Sequence, residues 1–143
     1  MAGVKKRGRR GQAVLEFSFF LPYLIFTFVG AFDWGFYSWA LIKTSEAARI
    51  AAIYTSSSPG TEANSSGACT YVLAEMSDAP NLQGVSTCAA SPLTVTATLV
   101  TGPDGVNASQ VSVAYQTVPL IPIPGLLAGQ ITITRTVVIP VRT

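Results

Sequence analysis

One carboxylate near the start of the chain occupies an unusual position. Glu16 lies five residues after Gly11 and directly before Phe17, where a long apolar run begins. A carboxylate carried to the centre of a bilayer costs roughly 2.5–3.5 kcal/mol, and less near the headgroups. We therefore expect Glu16 either to lie at the headgroup level or to pair with a positive charge inside an apolar helix assembly.

The apolar run extends from Phe17 to Ile42, and its only charged residue is Asp33. As a helix, these 26 residues span roughly 39 Å at the α-helical rise, which exceeds the hydrocarbon thickness of a bilayer. Asp33 has two interpretations. It is partly hydrated near the outer membrane interface, or it contacts another subunit, because a lone buried carboxylate needs a hydrogen-bond or charge partner.

Three residues within the run bear on how the helix packs. Ala31 and Gly35 form a small-xxx-small pair, which allows another helix to approach closely. Pro22 lacks a backbone N–H and can bend the first turns.

A basic head precedes the run. Five of the nine cations lie within residues 1–10, which leaves four cations against seven acids in the rest of the chain. That balance argues against a nucleic-acid surface on the folded part. The head instead predicts a cytoplasmic N-terminus by the positive-inside rule, or the start of a secretory signal, although the apolar run is about twice the length of a signal's hydrophobic region.

After the apolar run the sequence still favours a helix. Alanines dominate residues 47–52 and give high helix propensity, and Lys43–Glu46 and Glu46–Arg49 are spaced for ion pairs on a solvated face. The Ser-Pro-Gly segment at residues 56–60 ends the helix. We therefore expect a basic leader at residues 1–11, a long apolar helix with its exposed extension at 12–55, and a small domain at 56–143.

The small domain is predicted to be α+β. Residues 62–78 are predicted to be partly helical, with apolar side chains roughly on one face; Ser66 or Thr70 would start the second turn, and residues 78–80 would stop the helix. Residues 93–99, 110–117 and 131–137 alternate as strands do, and the first and third of these segments have threonines at every second position. We therefore expect one helix packed on a three-stranded antiparallel sheet, with the threonines on the more solvent-exposed face.

Cys69 and Cys88 are the two cysteines, and both follow the apolar helix. An extracytoplasmic domain would lie in an oxidising compartment, so we expect the two cysteines to form a disulfide. Such a bond stabilises a small fold by roughly 3 kcal/mol. The alternative is two buried free thiols.

The proline-rich apolar loop at residues 118–127 has two interpretations. Its side chains cap the open end of the sheet, which is the commoner outcome, or they form an exposed patch for a partner.

No catalytic constellation can be assembled from the sequence. There is no histidine, and the acids that follow the apolar helix are scattered. No glycine-rich phosphate loop follows a strand, and two cysteines cannot close a zinc site. We expect no enzyme activity, no metal, no cofactor and no small-molecule substrate.

The stretch from Gly11 to Phe17 resembles the processing motif of type IV prepilins, in which a membrane aspartyl protease cuts after the glycine. The resemblance implies a mature chain beginning at Gln12. Glu16 would then be its fifth residue and would neutralise the new α-amino group of a neighbouring subunit.

Residues 9–55 resemble the TadE-like pseudopilins of tight-adherence (Flp-type) pili. The matching features are an Arg-Gly start, the early Leu-Pro at Pro22, the acidic residue Asp33 near Gly35, and the Glu-Ala-Ala-Arg exit at residues 46–49. Asp33 stands where this family usually has glutamate. Phe36 stands where the family often has arginine, so the local partner of Asp33 is missing.

The resemblance implies a structural subunit, a minor pilin or pseudopilin, in the bacterial inner membrane. Its N-terminus would be cytoplasmic and its small domain periplasmic or extracellular. The implied partners are a prepilin peptidase, other pilins and minor pilins, and the inner-membrane assembly platform. Two alternatives stay open, an uncleaved single-pass anchor that presents an adhesin or binding domain, and a secreted domain whose first 40 or so residues are a signal.

Overall fold

The computed structural model describes residues 9–102, 104–121 and 129–142, without the side chains of residues 9 and 10. The chain divides into two compact units, Met1–Gly35 and Phe36–Thr143.

The first element is one long helix, α1, which covers Arg9–Thr55 and confirms the predicted apolar helix. Pro22 lies inside it, where its ring removes one backbone hydrogen bond. Four hydroxyl side chains of α1 bond back to the carbonyl four residues earlier, so these hydroxyls are satisfied within the helix; the bonds are Ser18 to Val14, Thr27 to Tyr23, Thr44 to Ala40 and Ser45 to Leu41.

The second helix, α2, covers Ser65–Glu75. Its N-cap is Asn64, whose Oδ1 accepts a hydrogen bond of 2.9 Å from the N–H of Gly67. The helix lies within the predicted residues 62–78, and both Ser66 and Thr70, the predicted starts of its second turn, are inside it. The predicted stop at 78–80 was too late, since Met76 already caps the helix through a bond from its N–H to the carbonyl of Val72.

Four antiparallel strands in the order β1-β2-β3-β4 form one sheet. They are β1 (Ala89–Ala90), β2 (Leu93–Thr101), β3 (Asn107–Gln116) and β4 (Thr132–Pro140). The three predicted strands are confirmed as β2, β3 and β4. The sequence missed β1, because two residues are too few to show alternation. β1 exists because the turn at Ser91-Pro92 returns the chain onto β2.

The core of the second unit lies between the sheet and the helices. Alternate residues of β2 and β3 are buried on one face, and the threonines of β2 lie on the more exposed face as predicted. The buried helical residues are mostly small; they are Ala40, Ala47, Ala48, Ala51 and Ala52 of α1, and Ala68, Cys69 and Val72 of α2.

Tyr115 is the largest fully buried side chain of this core. Its hydroxyl donates a 2.7 Å hydrogen bond to Asn81 Oδ1, and Asn81 Nδ2 donates to the carbonyl of Gln116. Burial raises the pKa of Tyr115, and the negative charge of Asp78 raises it further. The phenol therefore stays protonated and keeps its bond to Asn81.

Most of the proline-rich loop, residues 122–128, lies outside the described residues, so the predicted capping of the sheet stays a prediction. Ile121, at the described edge of the loop, is exposed.

Candidate assembly helix

The first turns of α1 carry the residues predicted to take part in processing. Gly11, Gln12 and Glu16 are all exposed and helical. Gln12 Nε2 donates a hydrogen bond of 3.3 Å to Glu16 Oε1, one turn along the helix. This contact places the Glu16 carboxylate directly beside the residue that would carry a new α-amino group after cleavage at Gly11.

The rest of the exposed half of α1 (residues 11–35) is a bulky apolar surface. Among the described residues, α1 is the one helix long and apolar enough to cross a membrane. Its exposed large side chains include Phe17, Phe19, Phe20, Leu24, Ile25, Phe26 and Phe28. Aromatic and aliphatic area on this scale is unfavourable in water and favourable in lipid or among sister helices.

Asp33 is the exception within this half. Its side chain is only 1% exposed, and its Oδ2 has no hydrogen-bond partner among the described residues. An unsatisfied buried oxygen costs about 1–3 kcal/mol, and more if it is charged. The intersubunit contact expected for Asp33 stays a prediction, because the described residues belong to a single subunit.

The three residues predicted to take part in helix packing, Pro22, Ala31 and Gly35, are all exposed. A Cβ added at Gly35 would meet nothing within 4 Å. The single subunit therefore neither fills nor blocks the small-xxx-small surface.

The alanine-rich half of α1 (residues 36–55) differs in that its partners lie within the second unit. Lys43 Nζ lies 3.7 Å from Glu75 Oε1 and 3.5 Å from Asp78 Oδ2, at and just beyond the end of α2. The predicted Lys43–Glu46 and Glu46–Arg49 pairs are not formed, and neither Glu46 nor Arg49 has an ion-pair partner in the part of the chain that the structure describes. Lys43 forms its ion pairs with Glu75 and Asp78 because tertiary packing brings these two carboxylates close to its ammonium group.

Sequence reasoning missed the contact between the end of α1 and the start of α2. The rings of Tyr54 and Tyr71 stack at a centroid distance of 4.6 Å, and Asn64 Nδ2 donates to the Tyr54 hydroxyl at 3.3 Å. Gly67 makes this possible, because a Cβ there would lie 2.5 Å from the Tyr54 ring. The sequence feature that could have indicated this contact is Gly67, a glycine within the predicted helix that leaves room for an aromatic side chain such as Tyr54.

A second missed contact ties the end of α1 to the sheet. The buried Ser109 hydroxyl on β3 lies 2.7 Å from Thr55 Oγ1 and 2.8 Å from the carbonyl of Glu62. The N–H of Arg142 also donates to the carbonyl of Ser56. The helix therefore ends against both β3 and the chain's C-terminal residues.

The disulfide between Cys69 and Cys88 is formed, with an S–S distance of 2.02 Å and a Cα–Cα distance of 5.7 Å. It links α2 to the residue before β1. A groove of about 290 Å³ runs beside it, lined by hydroxyl side chains such as Ser65, Thr70 and Thr87. No group of three potential metal ligands occurs in the described ranges.

No curated protein and no solved structure gives a significant match to the chain. A protein-family model does match it over residues 11–52, and the family is described as TadE-like protein. The match begins at Gly11 and ends within the alanine-rich half of α1, so it covers the apolar helix and leaves the sheet unmatched. Residues 11–52 are therefore a TadE-like segment, which confirms the resemblance to the TadE-like pilins of the tight-adherence system.

Proposed function

We propose that this chain is a minor pilin or pseudopilin of a tight-adherence-type pilus, processed after Gly11 by a prepilin peptidase. The observation that carries the proposal is that the TadE-like match starts at Gly11 and continues through the exposed apolar surface of α1. A helix that is apolar and unburied in the single subunit needs a lipid or protein environment, and a pilus subunit uses both in turn.

Processing would hydrolyse the Gly11–Gln12 peptide bond and leave an α-ammonium group on Gln12. Glu16 is exposed and one helical turn away, with its carboxylate already beside the Gln12 side chain. In an apolar helix assembly, the ammonium group would need such a carboxylate, from the same or a neighbouring subunit. We assign Glu16 to that role and Asp33 to a second intersubunit contact.

The proposal divides the chain into a leader at 1–11, the pilin helix at 12–55 and an extracytoplasmic domain at 56–143. The basic leader would stay in the cytoplasm by the positive-inside rule, and the disulfide suits an oxidising compartment on the other side. The partners would be the peptidase, other pilins and minor pilins, and the inner-membrane assembly platform. The role is structural and not enzymatic.

Intact-mass analysis of the membrane-expressed chain, together with its prepilin peptidase, tests the processing step. We expect a mature protein that begins at Gln12. Gly11→Ala should block cleavage, whereas Gly35→Ala, a glycine substitution in the same helix, should leave it unchanged. An intact leader in the wild type would support the uncleaved anchor, and loss of the whole apolar helix would support a secretory signal.

The role of Glu16 is tested separately by Glu16→Gln, which keeps the size and the hydrogen-bonding capacity of the side chain but removes its charge. We expect normal membrane insertion with a loss of pilus incorporation of about tenfold, since a buried ammonium group would lose its counter-charge. Phe17→Leu provides a matched control on the next residue. Normal piliation of the Glu16→Gln strain would contradict the assignment while leaving the processing step intact.

A further inference from the structure

The two edges of the sheet differ in how far their backbone groups are hydrogen-bonded by other parts of the described chain. At the β2 edge, the N–H of Val95 donates to the carbonyl of Cys88 at 2.9 Å. The N–H of Ala97 donates to Ser65 Oγ at 2.8 Å, and the same hydroxyl lies 3.4 Å from the carbonyl of Ala97. β1, the disulfide-linked residue and α2 thus cover most of this edge, and only Leu99 and Thr101 near its end stay open among the described residues.

The β4 edge has no comparable cover within the described residues. β4 pairs with β3 alone. Two bonds fix which of its backbone groups point inward, because Thr117 N–H donates to the carbonyl of Ile131 and Val141 N–H donates to the carbonyl of Asn107. In an antiparallel ladder, bonded and non-bonded pairs alternate. The odd-numbered positions of β4 therefore bond to β3, and the even-numbered positions face away.

Four N–H groups are consequently directed outward along β4, and none of them has a partner among the described residues; they belong to Thr132, Thr134, Thr136 and Val138. Pro140 occupies the next even-numbered position, where no N–H is needed for the ladder. An open edge of nine residues is a template for another strand.

The chemistry of the edge indicates what kind of strand it would take. On one face Thr134 and Thr136 are exposed, and Thr136 Oγ1 lies 3.1 Å from Ser112 Oγ. On the other face, Val137 and Ile139 are half-buried against the core, so an added strand with apolar residues there would cover them further. The added strand should therefore alternate hydroxyl and apolar side chains. β4 itself does so except at Arg135, Val138 and Pro140.

We propose that β4 is a self-association edge, on which β4 of a second copy of this chain pairs antiparallel about a twofold axis through Thr136. Thr136 is the central residue of β4. In this register Thr136 faces Thr136 of the second copy, Thr134 faces Val138, and about eight backbone hydrogen bonds form across the axis. The two sheets become one continuous sheet.

Charge is compatible with this pairing. Arg135 is the only charged residue of β4, and its Nε donates to Ser45 Oγ of α1 at 3.2 Å, on the core side of the sheet. In the Thr136-centred register, Arg135 faces Val137 of the second copy, so the two guanidinium groups are not directly opposed. The inference does not depend on removal of the leader.

Crosslinking of the full chain in lipid nanodiscs tests the proposal. Thr136→Cys should give a covalent dimer with a short bis-maleimide reagent. Thr96→Cys, an exposed threonine of β2 on the same face of the sheet, should give at least tenfold less. Equal crosslinking at the two positions would overturn the proposal, because the contact would then be non-specific or mediated by the apolar helix.

A second pair of variants separates backbone pairing from side-chain contact. Thr136→Pro removes an outward-facing N–H and the hydroxyl near Ser112, but no bond between β3 and β4. The folded chain should therefore retain its melting temperature within a few degrees, while dimerisation weakens about tenfold through the loss of two central bonds. Thr136→Ala also lacks the hydroxyl but keeps the N–H, and it should dimerise like the wild type. If Thr136→Pro lowers the melting temperature, Thr136→Lys replaces it, because two opposed ammonium groups should abolish the dimer at low salt. A dimer that survives these variants, or a wild type that stays monomeric, would exclude this interface.

Discussion

The two halves of α1 have opposite surfaces although they belong to one helix. Between Phe17 and Phe28 the helix exposes large aromatic and aliphatic side chains, whereas between Ala40 and Ala52 its alanines are completely buried. Secondary structure does not separate the halves, because both are helical. Side-chain size separates them. The alanines of α1 belong to the same buried core as residues of α2 and the sheet within the second unit, whereas the phenylalanines present area that only lipid or another subunit can cover.

The largest expected effect is on the exposed half. Leu24→Arg should make membrane insertion less favourable by roughly 3 kcal/mol, because an arginine at mid-bilayer is costly. The melting temperature of the folded second unit should not change. Membrane fractionation with alkaline extraction measures the first quantity, and thermal unfolding in detergent measures the second. Loss of fold stability in this variant would show that Leu24 supports the domain instead.

The second prediction places the same substitution in both halves. Ala48→Leu should destabilise the second unit by about 1–3 kcal/mol, since Ala48 is fully buried and has no room for a larger side chain. Ala31→Leu, at an exposed position, should change the unfolding free energy by less than about 0.5 kcal/mol. Denaturant unfolding of both variants measures the difference, and equal costs would erase the distinction between the halves.

Two glycines sharpen the comparison further. Gly67→Ala should lower stability by about 1 kcal/mol, because the new methyl group would overlap the Tyr54 ring and outweigh the gain in helix propensity. Gly35→Ala should instead stabilise the isolated helix by a similar amount, since nothing lies within 4 Å of the added Cβ. If Gly35→Ala also reduces pilus incorporation, the small-xxx-small surface is an assembly contact.

The smallest expected effect concerns charge at the start of the alanine-rich half. Lys43→Gln should cost about 0.5–1 kcal/mol, because Lys43 contacts both Glu75 and Asp78 at partly exposed positions. Glu46→Gln, which removes an exposed acid three residues later, should be close to neutral. The difference between the two variants should shrink at high salt. If Glu46→Gln lowered the unfolding free energy more than Lys43→Gln does, the local Lys43–Glu46 ion pair predicted from the sequence would be supported instead.

Most of the fold was predictable because its patterns are local. The apolar helix, the alternating strands β2 to β4 and the cysteine pair were all identified from periodicity and composition. The errors occurred where a distant group decides the outcome. Lys43 bonds across to α2, Asn64 caps α2 while its amide binds Tyr54, and β1 exists only because it pairs with β2.

In the candidate assembly helix, too, some features were predictable from the sequence and others were not. The spacing of Gly11 and Glu16 and the position of Asp33 were visible in the sequence, and the structure adds the Gln12–Glu16 contact and the unpartnered Oδ2 of Asp33. The open edge of β4 could not have been predicted, because the direction of a strand's backbone groups depends on the register of its neighbour.

The sequence by itself determined that the chain has a long apolar helix, a small α+β region with two cysteines, and a stretch after Gly11 that resembles a prepilin processing motif. It does so because side-chain size, periodicity and charge are properties of short stretches. Only the tertiary structure decided which half of α1 is buried, which carboxylates Lys43 contacts, and which edge of the sheet is covered. Those outcomes depend on residues far apart in the chain, which pack closely only after β2 and β3 align and the alanines of α1 allow close approach.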